Sequence, residues 1–295
     1  MAKQERPVRG RVIAITGAAR GIGRATAERL ASEGGRVAIG DLDADEAATV
    51  AATLDGGAIG LPLDVTDPAS VAGFLDEVEA RLGPLDVLVN NAGIMVVGPF
   101  ADEDDAATAR ELEVNVLGVV YGMRHAIKRM ERHGGGHIVN VASLASWFST
   151  PGEATYSATK HAVRGLTESV RFELRRQPIE LTSVYPGVVD TELAVGTGSG
   201  KALQPSQVAD AIADALRRPR AEVFVPGAAG PLARLNTALR PRARQMLGRL
   251  LKVDQVATHV EANARAAYET RAVAATAHPV DSEGERAATP PIPGG

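Results

Sequence analysis

Short apolar runs recur along the chain, and each has the length and content of a buried parallel strand. These runs cover residues 12–16, 36–40, 59–63, 85–89 and 181–185. Between the first two lies an alanine-rich segment, Arg24 to Glu33, whose pattern predicts a helix. The pattern therefore indicates an α/β protein in which valine-rich strands are buried beneath helices.

A glycine-rich turn follows the first apolar run and precedes the predicted helix. A strand, such a turn and a helix start together form a phosphate site, because free N–H groups and the helix dipole face the anion. The spacing is G-x-x-x-G-x-G, not the standard dinucleotide fingerprint, and a lone turn of this kind also occurs in ordinary loops. The candidate cofactor residues here are Gly17, Ala19, Arg20, Gly21, Ile22 and Gly23.

Asp41 ends the second apolar run, where an acidic residue would bind the ribose hydroxyls of NAD and repel the extra phosphate of NADP. Its neighbour Leu42 belongs to the same predicted cofactor site, although Asp41 could instead open a turn or cap a helix. Arg20 and Arg24 favour NADP, because a guanidinium in the glycine turn could pair with that phosphate. The position of Asp41 makes NAD the favoured cofactor and NADP the alternative.

Polar and small residues also follow the third and fourth apolar runs. Open α/β sheets bind ligands at the carboxyl ends of their strands, so these positions suit a flat cofactor. Asp67, which precedes Pro68, is predicted to cap the next helix. The cofactor candidates in these two turns are Asp64, Val65, Asn91, Ala92 and Gly93.

Tyr156 and Lys160 lie four residues apart in a segment predicted to be helical, so they share one face. A cation beside a phenol favours the phenolate, which lowers the tyrosine pKa from its usual value of about 10. Such a tyrosine can donate or take a proton at a carbonyl or alcohol oxygen. Taken alone, the pair could also be a tyrosine ring covered by the aliphatic stem of a surface lysine.

The composition limits the classes of protein to which the chain can belong. Of its 295 residues, 45% are apolar and only 3% aromatic, which favours closely packed helices on a sheet. The net charge of −4 argues against nucleic acid as a partner. The chain has no cysteines for a disulfide or zinc–thiolate site, and we predict no metal. No signal-peptide pattern or membrane-spanning run is present, so we expect a cytoplasmic protein.

Taken together, these residues resemble the short-chain dehydrogenase/reductase family in its compact single-domain branch. Each motif alone is common, whereas the ordered set is specific. The matching positions run in family order from about residue 10 to residue 225: Thr16, Gly17, Gly21, Ile22, Gly23, Asp64, Asn90, Asn91, Ala92, Gly93, Asn115, Ser143, Tyr156, Lys160, Pro186, Gly187 and Thr191. The resemblance implies a Rossmann-type, doubly wound parallel sheet in one domain, residues 8–270, and an NAD(P)-dependent enzyme acting on CH–OH groups.

The resemblance also implies a role for each catalytic candidate. Tyr156 would be the general acid/base on the substrate oxygen, and Lys160 would lower its pKa and hold the nicotinamide ribose. Ser143 would hydrogen-bond the substrate oxygen, and Asn115 would hold a water that relays protons to Lys160. The nicotinamide carboxamide would meet the last group of cofactor candidates, Pro186, Gly187, Val189 and Thr191. A homotetramer or dimer is expected from the family.

The residues expected to line the substrate pocket are apolar: Val96, Leu144, Ala145, Trp147 and Phe148. An apolar pocket favours a hydrophobic alcohol or ketone, such as a sterol, a retinoid or a long-chain alcohol, over a sugar. Glycines between Val195 and Lys201 suit a closing lid, although a surface loop can have the same composition.

After the predicted sheet comes a basic helical extension, residues 226–270, and then a tail, residues 271–295, predicted to be disordered. Arginines and leucines interleave through 226–252 without an acidic residue, as in segments that lie on an anionic membrane surface. A helix packed over the substrate cleft and a solvated charged face are the alternatives.

Other functions are compatible with parts of the sequence. A dinucleotide sensor or a membrane-surface scaffold could keep the fold without catalysis, but a sensor needs the glycines and not the phenol of Tyr156. A nucleotide-sugar epimerase also uses a tyrosine and a lysine at this spacing. The run Asn90-Asn91-Ala92-Gly93 and the lack of a sizeable substrate domain disfavour it.

Overall fold

Seven parallel strands form the centre of the protein. The computed structural model describes residues 5–195, 202–250 and 262–274. The strands are β1 (Val12–Thr16), β2 (Arg36–Asp41), β3 (Ile59–Pro62), β4 (Val87–Asn90), β5 (Gly136–Val141), β6 (Ile179–Pro186) and β7 (Glu222–Val225). Their order in the sheet is β3-β2-β1-β4-β5-β6-β7, and each neighbouring pair is parallel. The order changes direction between β1 and β4, which confirms the predicted doubly wound, Rossmann-type sheet.

Helices cover both faces of this sheet. They are α1 (Gly21–Ser32), α2 (Ala44–Ala52), α3 (Pro68–Leu82), α4 (Asp105–Leu112), α5 (Gly118–Arg132), α6 (Ala154–Glu173), α7 (Pro205–Arg217), α8 (Ala229–Ala238), α9 (Pro241–Leu250) and α10 (Ala262–Ala274). A π-helical turn, Glu113–Leu117, joins α4 to α5. Asp67 caps α3 as predicted, accepting a hydrogen bond from the backbone of Ala69.

The central strand β1 shows how the sheet is buried on both faces. Val12 and Ala14 belong to the core beneath α3, α5 and α6, whereas Ile13 and Ile15 belong to the core beneath α1, α2 and α7. Successive strand residues point to opposite faces, so a strand covered on both sides needs a continuous apolar run. The two cores leave only the ends of the strands open to a ligand.

Some predicted boundaries differ from the structure. β4 begins at Val87 instead of Leu85, because the Asp86 carboxylate accepts a hydrogen bond from the N–H of Val12 beside it. α1 begins at Gly21, inside the glycine turn and earlier than predicted. β5 and β7 were absent from the predicted strands.

The basic segment that follows β7 is divided between two helices with different surroundings. α8 packs on the core, where the Asn236 amide donates a 2.7 Å hydrogen bond to the carbonyl of Trp147. α9 buries none of its residues, and its Met246 and Leu250 are 72% and 79% exposed. Within the described part of the segment, α9 is therefore the portion that suits contact with a membrane surface.

The last described helix, α10, continues to Ala274, so the predicted start of the tail at residue 271 falls inside a helix. Residues 251–261 and 275–295 lie outside the described residues, as does the predicted lid, Val195 to Lys201, apart from Val195 itself. Within the described ranges, none of the helices has the length and apolar character that crossing a bilayer requires.

The close packing of α2 on β3 predicts opposite effects for two glycine substitutions. A Cβ at Gly60 would collide with the backbone of Ala47, whereas a Cβ at Gly73, inside α3, would meet nothing within 4 Å. We expect Gly60→Ala to lower the free energy of unfolding by about 1–3 kcal/mol. Gly73→Ala, the matched control, should raise it by about 0.5–1 kcal/mol. Urea unfolding measures both, and a neutral Gly60→Ala would contradict the packing described.

Candidate active site

A cleft of about 1210 Å³ opens along the carboxyl edge of the sheet. The turns after six of the strands meet there, because the carboxyl ends of parallel strands lie at one edge. Among the predicted cofactor residues, those that line the cleft are Gly17, Ala19, Arg20, Gly21, Ile22, Asp41, Leu42, Asp64, Val65, Asn91, Ala92, Gly93, Tyr156, Lys160, Pro186, Gly187, Val189 and Thr191. Gly23 does not line the cleft but lies in the packed turn behind it.

The glycine turn fits tightly against the turn that follows β4. Gly17 and Gly21 have φ values of +62° and +54°, a conformation that side chains with a Cβ rarely adopt. A Cβ at Gly17 would lie 2.7 Å from the Cα of Ala92, and one at Gly23 would lie 2.6 Å from Nδ2 of Asn91. The glycines thus leave the N-terminus of α1 open to the cleft. Free N–H groups at a helix N-terminus fit the pyrophosphate of a dinucleotide.

Thr16 and Asn91 connect these two turns through four hydrogen bonds. The Thr16 hydroxyl accepts from the N–H groups of Asn91 and Ala92, each at 3.0 Å. The Asn91 amide donates to the carbonyls of Thr16 at 3.0 Å and Gly17 at 2.8 Å. This junction fixes the glycine turn relative to β4.

Asp41 lies where the ribose of a bound cofactor is expected. Its carboxylate accepts hydrogen bonds from the N–H groups of Ala19, at 2.9 Å, and Asp43, at 3.1 Å. The cap of α2 is Asp43, which accepts from the backbone of Glu46, so the helix-cap alternative for Asp41 is wrong. Asp43 also pairs with Arg20 at 2.5 Å. The guanidinium that could favour NADP is therefore already beside a carboxylate.

Tyr156 and Lys160 lie on one face of α6, and both line the cleft. The Lys160 ammonium is 5.5 Å from the centroid of the Tyr156 ring and donates a 3.3 Å hydrogen bond to the carbonyl of Val141. The lysine thus lies against the ring of the tyrosine, in the interior, and the surface-helix alternative for the pair is wrong: the two residues are 8% and 5% exposed.

The pKa of the Tyr156 phenol differs from the sequence prediction. Burial raises this pKa above its ordinary value, and the Glu153 carboxyl raises it further, whereas a hydrogen bond with Ser143 lowers it. The net shift is therefore upward, opposite to the lowering that the sequence predicted from the neighbouring Lys160. Burial also lowers the pKa of Lys160 itself, to about 8, so the ammonium stays mostly charged at neutral pH and loses its charge as the pH rises through about 8.

Ser143 stands beside Tyr156 at the end of β5, also in the wall of the cleft. Its hydroxyl oxygen accepts a 3.1 Å hydrogen bond from the N–H of Ala145. A hydroxyl that accepts in this way keeps its own O–H for donation. Ser143 can therefore donate to an oxygen placed between it and Tyr156.

Asn115 lies in the π-helical turn between α4 and α5 and is fully buried. Its amide exchanges two 2.8 Å hydrogen bonds with the backbone of Ile94 and donates to the Thr159 hydroxyl at 3.2 Å. Both amide N–H groups are thus used within the protein. The contacts of this side chain tie the loop after β4 to α6, one residue before Lys160.

Comparison with known proteins identifies the family. A profile described as short chain dehydrogenase matches residues 11–202. This chain belongs to the short-chain dehydrogenase family. It is therefore an oxidoreductase, of the class that acts on CH–OH groups.

Two curated short-chain dehydrogenases show the extent of the similarity. A 3-alpha-(or 20-beta)-hydroxysteroid dehydrogenase of Mycobacterium bovis is 37% identical over 210 residues, which cover 69% of this chain and 81% of the relative. A cis-4-hydroxycyclohexanecarboxylate dehydrogenase of Sinomonas cyclohexanicum is 38% identical over 218 residues, which cover 69% and 88%.

A solved structure extends the comparison to the fold. It is a short-chain dehydrogenase/reductase of Burkholderia phymatum in complex with NAD, with a TM-score of 0.74 and 30% sequence identity. The match covers 79% of this chain and 95% of that one.

Two residues predicted to line the substrate pocket of this short-chain dehydrogenase do not reach the cleft. Trp147 packs in the core, with its ring centroid 5.6 Å from that of Tyr185 and the Arg164 guanidinium 3.3 Å above it. Val96 does not line the cleft, and its N–H donates a 2.7 Å hydrogen bond to the carboxyl of Glu111, which is also outside the cleft. The other predicted residues, Leu144, Ala145 and Phe148, do line it.

α10 contributes to the cleft, although none of the motifs in the sequence indicates this. The Arg265 guanidinium, 1% exposed, donates to the carbonyls of Met95, Leu193 and Val195 at 2.8–3.0 Å. The Tyr268 hydroxyl lines the cleft and accepts a 3.0 Å hydrogen bond from the N–H of Met95. These contacts join segments about 170 residues apart in the sequence. The predicted alternative of a helix over the substrate cleft concerned residues 226–252, where α8 contributes Ala229 and Leu232 to the lining.

Glu111 is a fully buried carboxyl behind the cleft, and burial raises its pKa from 4.5 to about 8. The fold therefore favours its protonated form. That contribution to stability is complete below about pH 4.5 and is lost as the pH rises through about 8. We expect Glu111→Gln to gain stability relative to wild type between about pH 5 and about pH 8.5, by on the order of 1–4 kcal/mol.

Urea unfolding at the two pH values tests this expectation. The control is Glu113→Gln, because Glu113 lies only two residues further along the chain and its side chain is 44% exposed. Its effect should not change with pH. A Glu111→Gln effect that is equally independent of pH would show that the carboxyl is ionised at little cost in the fold.

Proposed function

We propose that this chain is an NAD-dependent dehydrogenase that interconverts a hydrophobic, cyclic secondary alcohol and its ketone, with Tyr156 as general acid/base. The observation that carries the proposal is the position of Tyr156 and Ser143. Both hydroxyls face one cleft, with Lys160 behind the tyrosine and the glycine turn at the opposite end. This geometry serves proton transfer at an oxygen next to a dinucleotide.

The residues of the cleft divide the chemistry among them. In the direction of reduction, the Tyr156 phenol donates its proton to the carbonyl oxygen while Ser143 donates a hydrogen bond to the same oxygen. In oxidation, the Tyr156 oxygen takes that proton back. When bound, the cofactor supplies or accepts the hydride at the carbon. Lys160 favours the ionised phenol in proportion to its own charge.

The ribose end of the cleft supports NAD as the cofactor. Asp41 presents a carboxylate there, and a carboxylate at this position disfavours a ribose phosphate. Arg20 is paired with Asp43, so binding a phosphate would have to break an existing ion pair. The glycine turn and the N-terminus of α1 fit the pyrophosphate of either dinucleotide.

The character of the substrate end supports a hydrophobic cyclic alcohol. Leu144, Ala145, Phe148 and Met95 line it, and an apolar wall with few polar groups is typical of sites for such ligands. The two curated relatives act, by their names, on a hydroxysteroid and on a hydroxycyclohexane carboxylate. Both names describe an alcohol of a molecule that contains a carbon ring.

A dinucleotide sensor is the alternative function on the same fold. It would need the phosphate and ribose contacts but not a buried tyrosine. Burying the Tyr156 phenol and the Lys160 ammonium costs free energy. Binding a dinucleotide does not require these two groups, so a sensor would gain nothing that offsets this cost. The buried pair therefore favours the enzyme.

Replacing Tyr156 by phenylalanine tests the proposed function. Oxidation of cyclohexanol and of 3α-hydroxysteroids is followed by absorbance of the reduced cofactor, with NAD⁺ and with NADP⁺. We expect wild type to prefer NAD⁺, and Tyr156→Phe to lose at least about 100-fold in kcat/KM, because the proton donor is gone. Tyr121→Phe is the control, because Tyr121 does not line the cleft. Equal activity of Tyr156→Phe and wild type would refute the assignment.

A further inference from the structure

Glu153 places a buried carboxyl in the wall of the cleft, just before Tyr156. The residue is 6% exposed and lines the cleft. It is the N-cap residue of α6, but only its backbone carbonyl takes part, accepting from the N–H of Ser157 at 2.8 Å. No residue in the described parts of the chain donates a hydrogen bond to its carboxyl.

A carboxyl in this state is costly for a folded protein. Buried polar groups are nearly always hydrogen-bonded, and an unpaired one retains its full desolvation penalty. Burial raises the pKa of Glu153 from 4.5 to about 7, while the positive charge of Arg265 opposes the rise. A protein can retain such a costly group when a bound ligand supplies the missing hydrogen-bond donor.

The neighbouring cations do not supply that hydrogen bond. Arg265 uses its guanidinium on the carbonyls described above and on the Glu269 carboxylate, at 2.8 Å. Lys160 donates to the carbonyl of Val141. Arg271, at the rim of the cleft, pairs with Glu192 at 2.8 Å. Of these groups, Arg265 acts on Glu153 through its charge, and none of the three donates a hydrogen bond to it.

Glu153 lines the same cleft as Tyr156 and is close enough to raise the pKa of the Tyr156 phenol through its charge. The two residues are also separated by only two positions at the start of α6, so their side chains lie in the same region of the cleft. A ligand whose oxygen meets Tyr156 therefore brings its nearby atoms to Glu153.

We propose that Glu153 determines specificity by accepting a hydrogen bond from a second hydroxyl group of the substrate, close to the one that reacts. This inference rests on the proposed function and narrows the substrate class to diols and hydroxyketones on a hydrophobic ring. A hydroxyl suits the site better than an ammonium, because the positive charge of Arg265 already acts on the Glu153 carboxyl. A carboxylate would be repelled by Glu153 itself.

A matched set of probes tests the inference. The full-length protein is assayed with NAD⁺ and cyclohexanol or the 1,2-, 1,3- and 1,4-cyclohexanediols, and the ratio of kcat/KM for the best diol to that for cyclohexanol is measured. We expect wild type to favour one diol by about tenfold. Glu153→Leu should bring the ratio close to one. Glu153→Gln, which keeps an acceptor oxygen, should retain part of the preference.

The control is Glu168→Leu, which removes an exposed carboxyl from the same helix and should leave the ratio unchanged. A diol preference that survives in Glu153→Leu would overturn the inference, and so would a wild type that turns over cyclohexanol and every diol equally. In both of these cases the proposed function stands. 4-Aminocyclohexanol is assayed in the same way. If wild type prefers it to every diol, the group that donates to Glu153 is an ammonium and not a hydroxyl, and this result would also overturn the inference.

Loss of turnover with every probe would instead count against the proposed function. Calorimetry with the same probes, in the presence of NAD⁺, then tests the role of Glu153 by binding affinity, which requires no turnover. We expect the favoured diol to bind wild type about tenfold more tightly than cyclohexanol does, and Glu153→Leu to bind the two alike. Equal binding of diol and cyclohexanol by wild type would overturn the inference.

Discussion

The hydrogen bonds between Thr16 and Asn91 are the contact on which the rest of the cleft depends. They join the ends of two central strands, β1 and β4, at the point where the order of the sheet changes direction. One hydroxyl satisfies two backbone N–H groups, and one amide satisfies two backbone carbonyls. The glycine turn and the turn after β4 are thereby held close enough that Gly17 has no room for a Cβ. The floor of the cofactor site is thus fixed before any ligand enters.

From this junction, a chain of contacts leads to the reacting groups. The loop after β4 continues to Ile94, which is tied to Asn115, and Asn115 is tied to Thr159 on α6. The next residue of α6 is Lys160. On the other side of the same loop, Met95 is held by Arg265 and Tyr268 of α10. One short loop therefore contacts the glycine turn, α6 with Tyr156 and Lys160, and α10 at the cleft.

The sequence predicted the elements whose pattern is local. Continuous apolar runs identified β1, β2 and β6, and the ordered motifs placed Ser143, Tyr156 and Lys160 in one site before the fold was known. The residues that follow the strands were the most useful for predicting the site, because the carboxyl ends of the strands in a parallel sheet lie at one edge.

What the sequence could not predict depends on contacts between distant segments. Trp147 is next in sequence to residues of the predicted pocket, but its ring packs in the core against Tyr185 and Arg164. The sign of the pKa shift of Tyr156 follows from its depth of burial, which no spacing reveals. α10 carries no motif, and its place over the cleft is set by carbonyls that only the folded chain brings to Arg265. Glu153 is likewise an ordinary residue until its burial and its lack of a donor are seen.

The most direct test of this account is the affinity of Thr16→Val for NAD⁺, measured by calorimetry on the full-length protein. Valine keeps the shape of threonine but leaves two N–H groups unpaired, each at a cost of about 1–3 kcal/mol. We expect the variant to stay folded by circular dichroism and to bind NAD⁺ at least about tenfold more weakly than wild type. Thr49→Val, on the exposed face of α2, is the control. A folded Thr16→Val protein with wild-type affinity would show that the junction does not organise the cofactor site.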